Sequence, residues 1–180
     1  MRFQARARQS EANTNLKSLF TGLRTQQRMP SSTIRSTGFS PERGNRYSYH
    51  LENGCSSSED RSGINSQQHN TDTCVGTDQF KFTSFPPFFT VEPVASPTWN
   101  ANASRNGMAD AAGIYGAEES WDFLAYAAGD VDNTLGSDKA DTWMISSSDG
   151  QVQATCPATG VPQNVAAGEP FNTYNDVNCD

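Results

Sequence analysis

The stretch FQARARQSEANTNLKSLFTGL, Phe3 to Leu23, decides the fold. Phe3, Ala5, Ala12, Leu16, Leu19, Phe20 and Leu23 recur at three-, four- and seven-residue steps, which lays one apolar stripe along a helix. Arg2, Arg6, Arg8 and Lys17 fall on other faces. The pattern predicts a helix from Phe3 to about Arg28, weakened at Gly22 and ended by Pro30 and Ser31-Ser32. No Ser, Thr, Asp or Asn cap precedes Phe3. The run therefore reads as the lower half of a longer helix.

Downstream of the helix the character changes. Met1 to Arg46 holds nine Lys and Arg against two Asp and Glu, a charge of +7; the rest holds four against eighteen, −14. The basic part suits phosphates or anionic lipid head groups, and the acidic remainder argues against nucleic-acid binding by the isolated head. With 180 residues, 34% of them hydrophobic, a modest core with long ordered loops is expected.

Cys55, Cys74, Cys156 and Cys179 allow three disulfide connectivities, of which local pairing is the simplest. No cysteine sits in a CxxC, and His50 and His69 have no ligand-like spacing to them, so disulfides are favoured over zinc. That implies an oxidising compartment. No signal peptide or apolar run of membrane-spanning length occurs in these residues.

Arg46 to Leu51 alternates as a half-buried strand closed by an Asn53-Gly54 turn. Gln79 to Phe85 reads as a second strand, with Phe80 and Phe82 on one face. The prolines in Phe85-Pro86-Pro87-Phe88-Phe89 forbid a central strand, and these aromatics are expected to plug the core edge. Val94 to Gly116 has no clear periodicity. Trp121 to Ala127 is a strand with Trp121, Phe123 and Ala125 on one face and Leu124 and Tyr126 on the other. Asp141 to Ser146 and Gln151 to Ala154 follow as strands. The whole is α+β: a long amphipathic helix packed on an antiparallel sheet with stapled loops.

Four blocks resemble the type IV pilin family, in particular the large major pilins of myxobacteria and related bacteria. Phe3 to Phe20 is similar to the stretch just after the membrane half of the pilin helix. Gly38-Phe39-Ser40-Pro41-Glu42-Arg43-Gly44-Asn45-Arg46-Tyr47 is similar to the family's lead into its first strand. Gly129-Asp130-Val131-Asp132 with Asp141-Thr142-Trp143-Met144-Ile145 resembles a late hairpin, and Cys156 to Cys179 the disulfide-closed terminal loop. The resemblance implies residues 1–30 as the C-terminal half of the stem helix and 31–180 as the head, with 156–180 its closed terminal region.

It further implies a homopolymeric helical filament outside the cell, an inner-membrane precursor if the family's apolar half-helix precedes this sequence, and the pilus assembly machinery as partner. A separate short helical subunit is the alternative source of the membrane half. Phe3, Arg6, Arg8, Leu16, Lys17, Leu19, Phe20 and Leu23 are the candidate packing and filament-contact residues, the basic ones facing acidic heads of neighbouring subunits. The Leu16, Leu19 and Leu23 stripe is expected to pack under the sheet.

Asp130, Asp132, Asp138 and Asp141, with Asn133, Thr134 and Gly136 between them, are hard-oxygen donors suited to calcium. Thr134 and Leu135 stand where an EF-hand needs Asn or Asp and then Gly, so a solvated hairpin is the competing reading. No other cofactor is expected. No GxSxG elbow or phosphate-binding glycine loop occurs, and a catalytic role is not expected. A pseudopilin or minor tip adhesin is the second functional reading, and an exported binding module the third.

Overall fold

The computed structural model describes residues 2–26, 29, 34–132 and 139–179, the side chains of Arg2 and Phe3 excepted. The helix α1 spans Arg2–Arg24, shorter at its C-terminal end than the expected Arg28. Its last carbonyls are met by side chains: Thr25 Oγ1 and Gln26 Nε2 donate to Gly22 O at 2.8 and 3.2 Å. Gln26 Nε2 also donates to Ser36 O, tying the helix end to the 3₁₀ turn Arg35–Thr37. The calls on Phe3's side chain, Arg28 and Pro30 lie outside the described residues.

The strands are β1 (Tyr47–His50), β2 (Ser58–Glu59), β3 (Cys74–Val75), β4 (Ala95–Trp99), β5 (Gly113–Ala117), β6 (Ser120–Gly129), β7 (Asp141–Ser146), β8 (Gly150–Gln153), β9 (Gln163–Val165) and β10 (Phe171–Tyr174); helix α2 (Ala101–Arg105) follows β4. A seven-stranded sheet runs β10-β7-β6-β1-β3-β2, with β5 paired to the start of β6. All its pairings are antiparallel except the short β2–β3 pair. A second sheet runs β4-β8-β9.

Two cores lie on opposite faces of the large sheet. On one, Ala5, Ala12, Leu16, Leu19 and Leu23 of α1 pack against Tyr47, Tyr49, Phe123, Ala125, Ala127 and Ile145. On the other, Leu124, Tyr126 and Met144 meet Val94, Trp99, Ala103, Met108, Val152 and Val165 from the small sheet and α2. Both faces of β6 and β7 fall as the alternation predicts. Strand β1 departs from it. All four of its residues are buried, because Ser48 and His50 face an aromatic segment described below instead of water.

Two further expectations are corrected. Gln79 to Phe85 is a series of turns, not a strand: Asp78 Oδ1 accepts from Lys81 N at 3.1 Å, and Phe82 N and Phe85 N donate to Asp78 O and Phe82 O. Such Asx turns close the chain on itself before a strand can pair. Phe80 is 56% exposed. Val94 to Gly116, read as irregular, holds β4, α2 and the start of β5. A register shift between Ala95 and Thr98 bends β4 and erases its period of two.

Gly22 has a packing cause. A Cβ there would lie 2.6 Å from Thr37 O and 2.9 Å from Thr37 Cβ. Gly to Ala inside a helix normally stabilises by about 1 kcal/mol; here steric conflict with backbone wins. Gly22→Ala is expected to destabilise by about 1–3 kcal/mol. A denaturant midpoint at or above that of the parent chain would show that the 3₁₀ turn yields freely.

Candidate functional site

Helix α1 is latched to the sheet by polar contacts at the border of its apolar stripe. Glu11, its only carboxylate, turns inward and accepts from Arg46 N at 2.9 Å, Tyr47 N at 3.2 Å and Tyr49 Oη at 2.8 Å. Burial raises its pKa, and these hydrogen bonds, the backbone one from Arg46 foremost, pull it back only in part. Asn15 Nδ2 donates to Tyr49 Oη at 2.7 Å, and Arg8 Nη1 to Val131 O at 2.8 Å. Arg8 is thus engaged within its own chain. Arg24, though exposed, donates from Nη2 to Ser147 O at 3.2 Å and lies over the Phe20 ring. Arg6 and Lys17 are exposed, with no carboxylate beside them on the helix. Phe20 is half-buried, 5.7 Å from Phe123.

Of the carboxylates expected to bind calcium, Asp141 has a different occupation. It is fully buried, and its two oxygens accept from Gln9 Nε2, Asp176 N, Tyr47 Oη and Trp143 Nε1. Burial raises its pKa against the pull of those donors, Tyr47 foremost. Four donors leave it no lone pair aimed at a cation. Asp138 lies outside the described residues. Asp130 and Asp132 come together with Asp176, one oxygen of each lying within 4.8 Å of the others. Asp176 joins them from the far end of the chain, and its distance in sequence hid it.

Both cysteine pairs are local, Cys55–Cys74 and Cys156–Cys179. Inside the first loop lies a buried ionic network that composition alone did not reveal. Glu59, fully buried, accepts from Arg35 and from Arg61 Nε at 2.6 Å; Asp72 accepts from Arg35 Nε at 3.2 Å and Ser57 Oγ at 3.1 Å. Burial works against ionisation of Glu59, but the two guanidinium groups override it and hold its pKa below the usual range. Arg43 clamps the tip of the same loop through Gly63 O and Ile64 O, and pairs with Asp78 at 2.9 Å. Burial opposes ionisation of Asp78 too, and Arg43 together with Gly44 N and Lys81 N brings its pKa down to about 2.

On the face of β1 away from the helix, His50 Nε2 is 2.8 Å from Ser48 Oγ and Nδ1 is 3.2 Å from Cys55 Sγ. A disulfide sulfur has no proton, so Nδ1 is the donor. Ser48 Oγ also accepts from Phe89 N at 3.2 Å, a structural use of the hydroxyl. His69 pairs with Asp72 at 3.2 Å and is 58% exposed at its side chain. Burial alone lowers the His50 pKa from 6.5 to about 4. The unfolded chain therefore takes up this proton first, and the stability held by neutral His50 is complete above pH 6.5 and lost as pH falls toward 4. The loss is on the order of 3 kcal/mol. Glu11 and Asp141, both raised, act in the opposite sense, in windows that open upward from the ordinary carboxylate range. Comparing the parent with His50→Gln isolates the histidine: their stability difference is expected to shrink between pH 7 and 4.5. A constant difference would refute a neutral buried imidazole.

Phe85 is buried against Phe82, Phe89 and Arg46, apart from both cores, whereas Phe88 and Phe89 remain half-exposed, so the expected plug of the core edge is not made. Phe88 and Phe89 form a ridge between grooves of about 490 and 660 Å³. Among the described residues no helix is long and apolar enough to cross a membrane.

A long helix with one face latched to an antiparallel sheet, and two loops closed by disulfides, is the arrangement the resemblance implied. The family model for type IV pilin PilA matches residues 3–138, and the chain belongs to that family. It is 32% identical over 193 aligned residues to the type IV major pilin protein PilA of Myxococcus xanthus (strain DK1622), covering 100% of this chain and 82% of that relative.

Proposed function

We propose that this chain is the structural subunit of a retractable surface fibre that serves twitching motility and attachment, assembled as a homopolymer by pilus machinery. The observation that carries the reading is the two-sided helix, within a family of pilins. Five apolar residues and Glu11 hold it to its own head, and a cation-bearing face is left for neighbours. Residues 1–30 are then stem and 31–180 head, delivered from an inner-membrane precursor to the cell exterior. A structural role leaves no catalytic centre to assign, and a pseudopilin or tip subunit is not favoured by likeness to a major pilin.

Shearing filaments from the source cells, with N-terminal sequencing and intact mass of the subunit, tests this. Phe3 to Asp180 behind a methylated apolar segment is expected. This chain beside a short helical partner would mean a split subunit, and absence from every filament would end the pilus reading. Calcium is proposed for Asp130, Asp132 and Asp176, whose oxygens are the donors a hard cation takes. Millimolar calcium is expected to raise the melting temperature, and Asp132→Asn to cancel the rise. An unchanged melting temperature with calcium would remove the ion.

A further inference from the structure

We propose that His50, Cys55 and Cys74 form a site for a divalent thiophilic cation, zinc by its chemistry, whenever the Cys55–Cys74 bridge is open. The same side chains then close the loop from 56 to 73 through a metal instead of a covalent bond. The inference does not depend on the fibre reading.

The donor atoms are already gathered. His50 Nδ1 and the two Sγ atoms lie within 4.8 Å of one another. Nδ1 is 3.2 Å from Cys55 Sγ and 3.9 Å from Cys74 Sγ. Zinc takes thiolate at about 2.3 Å and imidazole nitrogen at about 2.0–2.1 Å, which sets the nitrogen-to-sulfur edge of its tetrahedron at about 3.6 Å. The two distances bracket that edge, so only the sulfurs have to part. Two thiolates and a divalent ion sum to no net charge, which suits a site where His50 and Cys74 are buried. Thiolate and imidazole donors select zinc over the hard cations that carboxylates hold.

The frame holds these atoms without the bridge. The histidine is 5 and 24 residues from the two cysteines in sequence, a spacing like no zinc motif, but the β1–β3 register sets His50 directly opposite Cys74. On the Cys55 side, Ser56 N and Oγ donate to Glu52 Oε1 at 2.8 and 2.7 Å, and Thr73 N donates to Ser57 O at 2.7 Å.

Ser48 supports the histidine from behind. In the bridged chain Nδ1 carries the proton; ligation moves it to Nε2, 2.8 Å from Ser48 Oγ. That oxygen then accepts from Nε2 and from Phe89 N, and donates its own proton to Ala128 O at 3.2 Å. Each of its hydrogen-bonding positions is used, and the ring is fixed with Nδ1 toward the metal. His50 and Cys55 line the groove of about 490 Å³, which gives the ion a path and water a place at the fourth position. The second bridge provides the contrast. Among the described residues no histidine or carboxylate gathers with Cys156 and Cys179 as a third ligand.

The chain reduced with a phosphine, under nitrogen, is the test material. The phosphine gives two electrons to each S–S bond and leaves as its oxide with oxygen from water. The two protons of that water end on the thiols, and ligation releases them. Cobalt(II), the optical stand-in for zinc, is expected to bind at one per chain with a thiolate charge-transfer band and the intense visible bands of a tetrahedral ion. His50→Gln is expected to weaken that binding about a hundredfold, and Cys156→Ser with Cys179→Ser to leave it unchanged. Zinc at about a hundredfold over its dissociation constant is expected to raise the melting temperature of the reduced chain by about 5–10 °C. Where the reduced chain is unfolded before metal is added, zinc is expected to restore the native circular dichroism, and to fail in Cys55→Ser. X-ray absorption of the zinc form is expected to show two sulfurs and an imidazole nitrogen, a readout independent of any variant's folding. No cobalt bands, equal affinity in His50→Gln, bands that vanish with Cys156 and Cys179, or four-sulfur coordination overturns the proposal.

Discussion

Reducing both disulfides is expected to lower the melting temperature by about 12–24 °C. The bridges span 19 and 23 residues, and each loop of that size contributes about 3 kcal/mol by restricting the unfolded chain. Two independent bridges give about 6 kcal/mol, and a domain of this length loses about 2–4 °C per kcal/mol. The sites are far apart in sequence and share no partner, so their effects should add. The first bridge closes the loop that holds Glu59, Arg61 and Asp72. A loop whose buried content is ionic has little apolar burial to fall back on. Its loosening exposes charges to water, which favours the open form. The second fixes the turn after β10, where Thr155 N and Cys156 N donate to Thr173 O and Val177 enters the helix-side core. Calorimetry with and without reductant, beside a free-thiol count, is the measurement. An unchanged melting temperature after verified reduction would mean that packing alone holds both loops.

The layer containing the stem was legible in the sequence; the layer behind it was not. Leu16, Leu19 and Leu23, and the alternating Trp121 to Ala127 and Asp141 to Ser146, bury apolar side chains at the period of their own element, so periodicity finds them. The second core is assembled from short pieces, a bulged β4, a five-residue α2 and a three-residue β9, each below the length at which a period shows. Polar residues misled in the same way. Ser48 and His50 looked like a solvent face because their partner, the Phe88–Phe89 segment, lies forty residues on. Glu59 and Arg61 carry no local signal, because the Arg35 that completes their network precedes β1 in the chain. Periodicity reports what an element does locally. Buried polar groups are justified by distant donors, which only the fold brings near.

Asp141→Ala is expected to destabilise by about 3–5 kcal/mol, and Asp141→Asn by nearly as much. The carboxylate joins four parts of the molecule. Gln9 Nε2 reaches it from α1 at 2.9 Å, Tyr47 Oη from β1 at 2.6 Å, Trp143 Nε1 from β7 at 2.9 Å and Asp176 N from the C-terminal segment at 3.0 Å. Truncation to Ala leaves these donors buried without an acceptor, and several such penalties accumulate at one point. Asn does little better. One oxygen can serve one pair of donors, but its NH₂ then faces the other pair, donor against donor. Asp132→Asn, at a half-buried position, supplies the control and should change stability by less than about 0.5 kcal/mol in the absence of calcium. Chemical denaturation of the three variants at pH 7 separates two pictures of this hairpin. A solvated turn or a cation loop would make Asp141 and Asp132 equivalent in calcium-free buffer. A hub that fastens the stem helix and the C-terminal segment to the sheet makes Asp141 costly and Asp132 neutral. Because Gln9 is one of the four donors, proteolysis near the start of α1 should also accelerate in Asp141→Ala alone; equal proteolysis in both would detach the stem from this hub.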